Sequence, residues 1–206
     1  MNIFPSTRKE DLAGLHQSTI ETMNLTQSAY DQAVESCKEI FLKKTRDYGS
    51  SWRVLRTISI ADQLYIKAQR IRNVQELGKQ KVGDDISSEF RGIVNYGVIG
   101  LIQLEMAADS LAEITLEDAE KYFDLKINLV KKVMMDKNHD YGEAWRNMSQ
   151  EGFVDLILMK LMRIRQILSN EGKTLISEGV DSNLVDIINY SLFALILIDE
   201  GKHGNS

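Results

Sequence analysis

The most apolar stretch of the chain, Ile187 to Ile198, runs for about a dozen residues and is interrupted by Asn189, Tyr190 and Ser191. That is short of the ~20 residues a membrane span needs, so it predicts a buried helix and no membrane association. A second mostly apolar segment runs from Phe153 to Leu168, broken by Asp155, Lys160, Arg163 and Arg165. The polar breaks suit helix ends. Thr26 and Thr115 are placed as N-caps, the second followed by Asp118 at capping-box spacing, and each opens a helix of about twenty residues that ends near an Asp-Tyr-Gly triplet. Second helices follow at about Ile60 to Glu76 and Phe153 to Asn170, and third helices at about Ile86 to Ala108 and Asp181 to Asp199. With Pro5 the single proline, almost the whole chain can run as helix, and the expected fold class is all-α.

This map is the same pattern written twice. Asp47-Tyr48-Gly49 and Asp140-Tyr141-Gly142 lie 93 positions apart, and that offset also aligns Lys44 with Lys137, Trp52-Arg53 with Trp145-Arg146, and Asp62 with Asp155. It further aligns Lys67 with Lys160, Arg70 with Arg163 and Arg72 with Arg165; one inserted residue later, Asn95-Tyr96 meets Asn189-Tyr190. The reading is a helical bundle built from two tandem three-helix repeats, residues 29–109 and 115–200, behind an N-terminal helical extension over residues 1–28. Leu12, Leu15 and Ile20 give that extension an apolar side, expected to pack on the bundle or on a partner subunit of a homodimer.

From Asp47 to Arg72 the copies share 10 identities in 26 positions, and only Ile71 with Ile164 is aliphatic. Copies that share only a fold should keep apolar character and lose exposed polar identities. Here the polar residues are kept, which points to ligand chemistry or to a structural ion-pair network. On a helical wheel with Asp155 at 0°, Arg163 falls at about 80°, Lys160 at about 140° and Arg165 at about 280°. This groups Asp155, Lys160 and Arg163 on one side, with Arg165 leaving the other way. Asp186, Asn189 and Tyr190 cluster within one turn of an otherwise apolar helix, where each polar group needs a partner, a metal or a ligand. Gly49 and Gly142 read as left-handed helix stops or as phosphate platforms, and Trp52 and Trp145 as core anchors or base-stacking surfaces.

Composition narrows the chemistry. The formal charge of −5 argues against nucleic-acid backbone binding, while leaving room for a basic pocket that takes a small phosphorylated ligand. Cys37 is the single cysteine, and the start MNIFPSTRKED lacks the apolar stretch of a secretory signal, so a cytoplasmic setting is expected.

The joint motif resembles the nucleotide modification associated domain 1 family, whose pattern runs Lys-x-x-Asp-Tyr-Gly, then a Lys-x-x-Arg helix, then an acidic stretch leading into Asp-x-x-Asn-Tyr. The second copy matches throughout, as Lys137, Asp140, Tyr141, Gly142, Lys160, Arg163, Asp181, Asp186, Asn189 and Tyr190. The first has Gly92 where Asp186 stands, with Glu89 one turn earlier as a substitute. A more distant likeness is to MazG-type helical nucleoside triphosphate pyrophosphohydrolases, which bind magnesium through paired acidic residues; a clean Glu-x-x-Glu is missing here.

The resemblance implies a nucleotide-binding and nucleotide-processing protein, acting by Mg2+-dependent hydrolysis of a nucleoside triphosphate or in modified-nucleotide metabolism, with a small-molecule nucleotide as partner and Mg2+ as cofactor. Lys160 and Arg163 are assigned to phosphate, Asp186 with Asp181 or Asp155 to the cation, Asn189 to base or ribose, and Tyr141 or Trp145 to stacking, while Lys137, Asp140 and Tyr190 complete the set. Lys44, Asp47, Tyr48, Lys67, Arg70 and Asn95 are the first copy's counterparts, expected to form the weaker site. Two other readings stand beside it: a non-catalytic nucleotide sensor, and a structural bundle whose charges form an internal lattice.

Overall fold

The computed structural model describes residues 9–78, 83, 85–106, 113–173 and 178–205, and side chains from residue 24 onward. Six helices carry the described chain: α1 (Lys9–Tyr48), α2 (Thr57–Leu77), α3 (Ile86–Glu105), α4 (Leu116–Tyr141), α5 (Gln150–Ser169) and α6 (Val180–Asp199). Short 3-10 turns, Ser51–Val54 and Ala144–Asn147, link the first and second helix of each repeat. No strand occurs among the described residues, in agreement with the all-α expectation.

Local chemistry explains most helix ends. Asp85, Thr115 and Ser149 cap α3, α4 and α5 by accepting from the backbone N–H three residues on. Gly49 and Gly142 take left-handed backbone, at φ +61° and +57°, so both act as the helix stops the sequence allowed. Thr26 is a correction. It does not start a helix, because α1 is continuous from Lys9 and the described part of the extension, residues 9–28, belongs to its first turns. Buried within α1, Thr26 instead accepts a hydrogen bond from Arg146 Nη2 at 2.7 Å. Leu12, Leu15 and Ile20 fall outside the residues whose side chains are described.

The helices stack as three layers of two. α3 and α6 form the middle, α2 and α5 pack on one side, and α1 and α4 on the other. Each contact within the first repeat has its counterpart in the second, and α3 with α6, α2 with α5 and α1 with α4 join the repeats. α6 is long and apolar enough to cross a membrane by length and composition, yet 78% of that window is buried inside the bundle. Its closeness to α3 depends on Gly97, where an added Cβ would stand 2.6 Å from Ile188 Cγ1.

Ion pairs repeat the same two-fold relation. Arg72 Nη2 lies 2.6 Å from Asp155, and Arg165 Nη2 lies 2.8 Å from Asp62. Lys38 meets Asp124 at 2.8 Å, and Lys131 meets Asp31 at 2.6 Å. At the 93-residue offset these are two reciprocal exchanges, one across α2 and α5 and one across α1 and α4. Pairs this exposed contribute about 0–1 kcal/mol each, so their main effect is to fix how the repeats face each other. Asp62, Asp155, Arg72 and Arg165 thus recur for a structural reason. Cys37 is free and buried, and burial pushes its thiol up to about 12.

Candidate functional site

The two copies of the polar signature come to rest in different states. In the second repeat, Asp186 is drawn between two lysines from different helices. Lys137 Nζ on α4 lies 2.7 Å from its Oδ1, and Lys160 Nζ on α5 lies 2.5 Å from its Oδ2. Asp186 and Lys160 are each about 6% exposed, so this is an interior pair. Burial works against the charge of Asp186, but the two ammonium groups outweigh it and hold the carboxyl below its ordinary range. For Lys137 burial likewise opposes charge, and Asp186 more than compensates, holding the lysine above its ordinary value. Glu178 stands 3.8 Å from Lys160 as a second, weaker partner.

The rest of the second set is spent or turned outward. Asn189 accepts from the Tyr30 hydroxyl at 2.8 Å and donates to the Val130 carbonyl at 3.3 Å. Trp145 stacks on Phe193, with centroids 4.3 Å apart and planes 7° from parallel, while the Arg146 guanidinium lies 4.4 Å over its ring. It is a core anchor. Among the described residues, Tyr141 is 72% exposed, Asp140 pairs with His139 at 3.1 Å, and Arg163 is exposed with no ion pair. Tyr190 is half-buried beside Phe153, and burial, then the nearby Asp186, raises its hydroxyl above the ordinary value.

Asp186 and Asp181 line one cavity, but the three carboxylates assigned to a cation do not come together as one donor set. Asp186 is held by lysines, Asp155 is paired to Arg72 on α2, and Asp181 is exposed in the first turn of α6. Among the described residues no group of three His, Cys, Asp or Glu side chains is placed to hold a metal ion. The wheel had grouped Asp155 with Lys160, but Asp155 and Arg165 lie about 80° apart and both reach α2, whereas Lys160 faces α6. The donor set expected for magnesium therefore does not fit, and no chemical step is derived through it.

A cavity of about 560 Å³ does open beside Asp186, lined by Lys137, Glu178 and Asp181 with Leu104, Leu129 and Val133. None of Trp145, Lys160, Arg163 or Asn189 lines it.

In the first repeat the signature residues converge instead. A cavity of about 650 Å³ is walled by Lys44 and Tyr48 from α1, Trp52 from the 3-10 turn and Lys67 from α2. Glu89, Gly92, Asn95 and Tyr96 from α3 complete it. Glu89 takes the counter-ion role that Asp186 plays in the other copy: Lys67 Nζ lies 3.1 Å from Oε2, and Arg70 pairs with Oε1. Lys44 has no ion pair among the described residues, and Asp47 is exposed and does not line the cavity. Asn95 donates to the Cys37 carbonyl at 3.0 Å, matching Asn189 with Val130, but its Oδ1 is buried without a partner. The reason lies one helix away, since Tyr30, which fills this acceptor on Asn189, has Phe123 as its counterpart at the same offset.

Tyr30, Glu89 and Tyr96 are the residues that the motif comparison undervalued or missed. Tyr30 lies ahead of the signature, where the copies differ, so only the asymmetry itself marks it. Removing the Tyr30 hydroxyl as Tyr30→Phe is expected to cost about 1–3 kcal/mol, because it strands a buried amide acceptor. Chemical denaturation of the variant checks this, and a change under half a kcal/mol would show the bond contributes little.

A family model described as nucleotide modification associated domain 1 matches the chain twice, over residues 44–104 and 137–198. The chain belongs to that family. Both matches begin on the first lysine of the signature, Lys44 or Lys137, and run past the Asn-Tyr pair. The duplicated family unit is thus the part of each repeat that carries the cavity walls from the Asp-Tyr-Gly triplet onward, while Tyr30, Asp31 and Lys38 lie outside it. No curated protein and no solved structure matches the chain significantly.

Proposed function

We propose that the protein binds a nucleotide in the cavity of its first repeat. The observation that carries this reading is the convergence there of Lys44, Lys67 and Asn95 with the rings of Trp52, Tyr48 and Tyr96. A volume of about 650 Å³ suits a ligand of nucleotide size. Phosphate needs fixed positive charge, which the lysines supply, and a base offers flat faces for the aromatic rings. The family's description, which ties it to nucleotide modification, supports the same ligand class.

Binding without turnover is the form of this proposal the geometry favours. Glu89 is the only carboxylate lining the cavity among the described residues, and Lys67 and Arg70 both hold it, which leaves it poorly placed to act as a general base. A sensing or carrier role follows more readily from this than hydrolysis.

Thermal shift with a panel of canonical and modified nucleosides and their mono- and triphosphates, with and without magnesium, tests the reading. A subset of nucleotides is expected to raise the melting temperature. Lys44→Ala, at an exposed and unpaired side chain, is expected to leave stability within about 0.5 kcal/mol while weakening that binding about tenfold or more. No response to any member of the panel would overturn the proposal, and phosphate release during incubation would restore the hydrolase reading.

A further inference from the structure

We propose that the first repeat seizes its ligand by one anionic group, a phosphate, seated between Lys44 and Lys67, and that the second repeat is closed to such a ligand by its own Asp186. This rests on the nucleotide reading above and narrows it to phosphorylated nucleotides, excluding free nucleosides and bases.

The second repeat supplies the template. There a single carboxylate is gripped by two ammonium groups, one per oxygen, at 2.7 Å from Lys137 and 2.5 Å from Lys160. Two lysines on separate helices converging on one anion form a recognition geometry, and Asp186 is the anion the chain provides for itself. In the first repeat the corresponding lysines, Lys44 and Lys67, stand on the corresponding helices and line one cavity. The third helix contributes Gly92 at that position, so no single carboxylate there bridges the two lysines as Asp186 does.

Lys67 occupies the ground left open. A Cβ built on Gly92 would stand 2.7 Å from Lys67 Cε and 3.0 Å from its Nζ, so the ammonium lies against the spot from which Asp186 projects in the other copy. Glu89 engages Lys67 at 3.1 Å, yet Arg70 holds Glu89 as well. An incoming phosphate therefore finds Lys44 uncompensated and Lys67 able to leave Glu89 with another cation. In the second repeat the same approach meets Asp186 and Asp181 within the cavity, and Glu178 beside Lys160. Like charge turns the ligand away, and one ligand per chain is the consequence.

The discriminating variants are Gly92→Asp and its neutral isostere Gly92→Asn, which add the same bulk against the flexible end of Lys67 and differ only in charge. Calorimetric titration with nucleoside 5′-monophosphates and with the matching nucleosides is run on both and on the unaltered chain. The unaltered chain is expected to bind one monophosphate, with the nucleoside about ten- to a hundredfold weaker. Gly92→Asp is expected to bind the monophosphate about tenfold or more weakly than Gly92→Asn, and to melt higher than it at low salt, with the gap closing as salt screens the new pair. Equal affinity and equal melting of the two variants would overturn this inference while leaving the nucleotide reading intact, as would nucleosides binding as tightly as monophosphates. Absence of binding by every ligand to the unaltered chain would overturn the nucleotide reading and this inference together.

Discussion

Asp186→Ala is expected to lower the unfolding free energy by about 3–5 kcal/mol, the cost of leaving the buried Lys160 ammonium without its counter-ion. For a chain of this length that corresponds to a fall in melting temperature of about 6–20 °C. The residual partner, Glu178 at 3.8 Å and largely exposed, is too distant to replace a carboxylate at 2.5 Å. The double replacement Asp186→Leu with Lys160→Met is expected to recover most of the loss, because the penalty comes from the stranded charge.

The pH dependence has a definite sign. Since the Asp186 carboxyl is held below its ordinary range, its stabilisation is complete above the unfolded-state value and is lost as pH falls through the folded-state value. The difference between the unaltered chain and Asp186→Ala should narrow in strong acid. For Lys137, held above its ordinary value, the contribution is complete below the unfolded-state value and is lost as pH rises through the folded one. Denaturant titration across pH measures both, and an Asp186→Ala loss under 1 kcal/mol at neutral pH would contradict the interior pairing.

Trp145→Ala is expected to cost about 3–5 kcal/mol as well, by a different route. Its ring is 6% exposed and stacked flat on Phe193, so truncation opens a cavity between the 3-10 turn and α6. Because Trp145 lines neither of the two cavities, ligand affinity measured below the variant's melting temperature should not change. Trp52→Ala should differ on that second readout, since Trp52 walls the first-repeat cavity, 6.3 Å from Phe41. A Trp145→Ala protein that melts normally, or loses ligand with its fold intact, would contradict the assignment of this residue to the core.

The architecture was readable because duplication writes the same helix stop, an Asp-Tyr-Gly triplet, twice. Gly49 and Gly142 end helices in both copies by the same left-handed geometry, and no tertiary information is needed to see it. The start of α1 was less readable: a threonine with cap-forming chemistry looks the same whether it begins a helix or, like Thr26, lies inside one and bonds to a distant arginine.

Direction along a helix does not give partnership across the bundle. A wheel gives the angle at which Asp155 leaves α5, but α2 brings Arg72 to it. The ranking of the copies turned on the same point. Gly92 reads as a loss from the motif and Asp186 as its preservation; the proposed binding mode reverses that order, since Asp186 satisfies both lysines of its copy whereas Lys44 has no ion pair among the described residues and Lys67 turns to Glu89. The reciprocal pairs Asp31–Lys131 and Asp124–Lys38 were within reach of the 93-residue offset, but they lie ahead of the signature and went unread.

The chain has two tryptophans, one at the cavity and one in the core, which permits a direct test of the claim that the first repeat is the ligand site. In a Trp145→Phe protein, Trp52 is the sole indole, and its fluorescence is followed while a responding nucleotide is added. Saturable quenching is the expected result. An unchanged Trp52 signal, with the emission change appearing instead from Trp145 in a Trp52→Phe protein, would place the ligand in the second repeat and contradict the account.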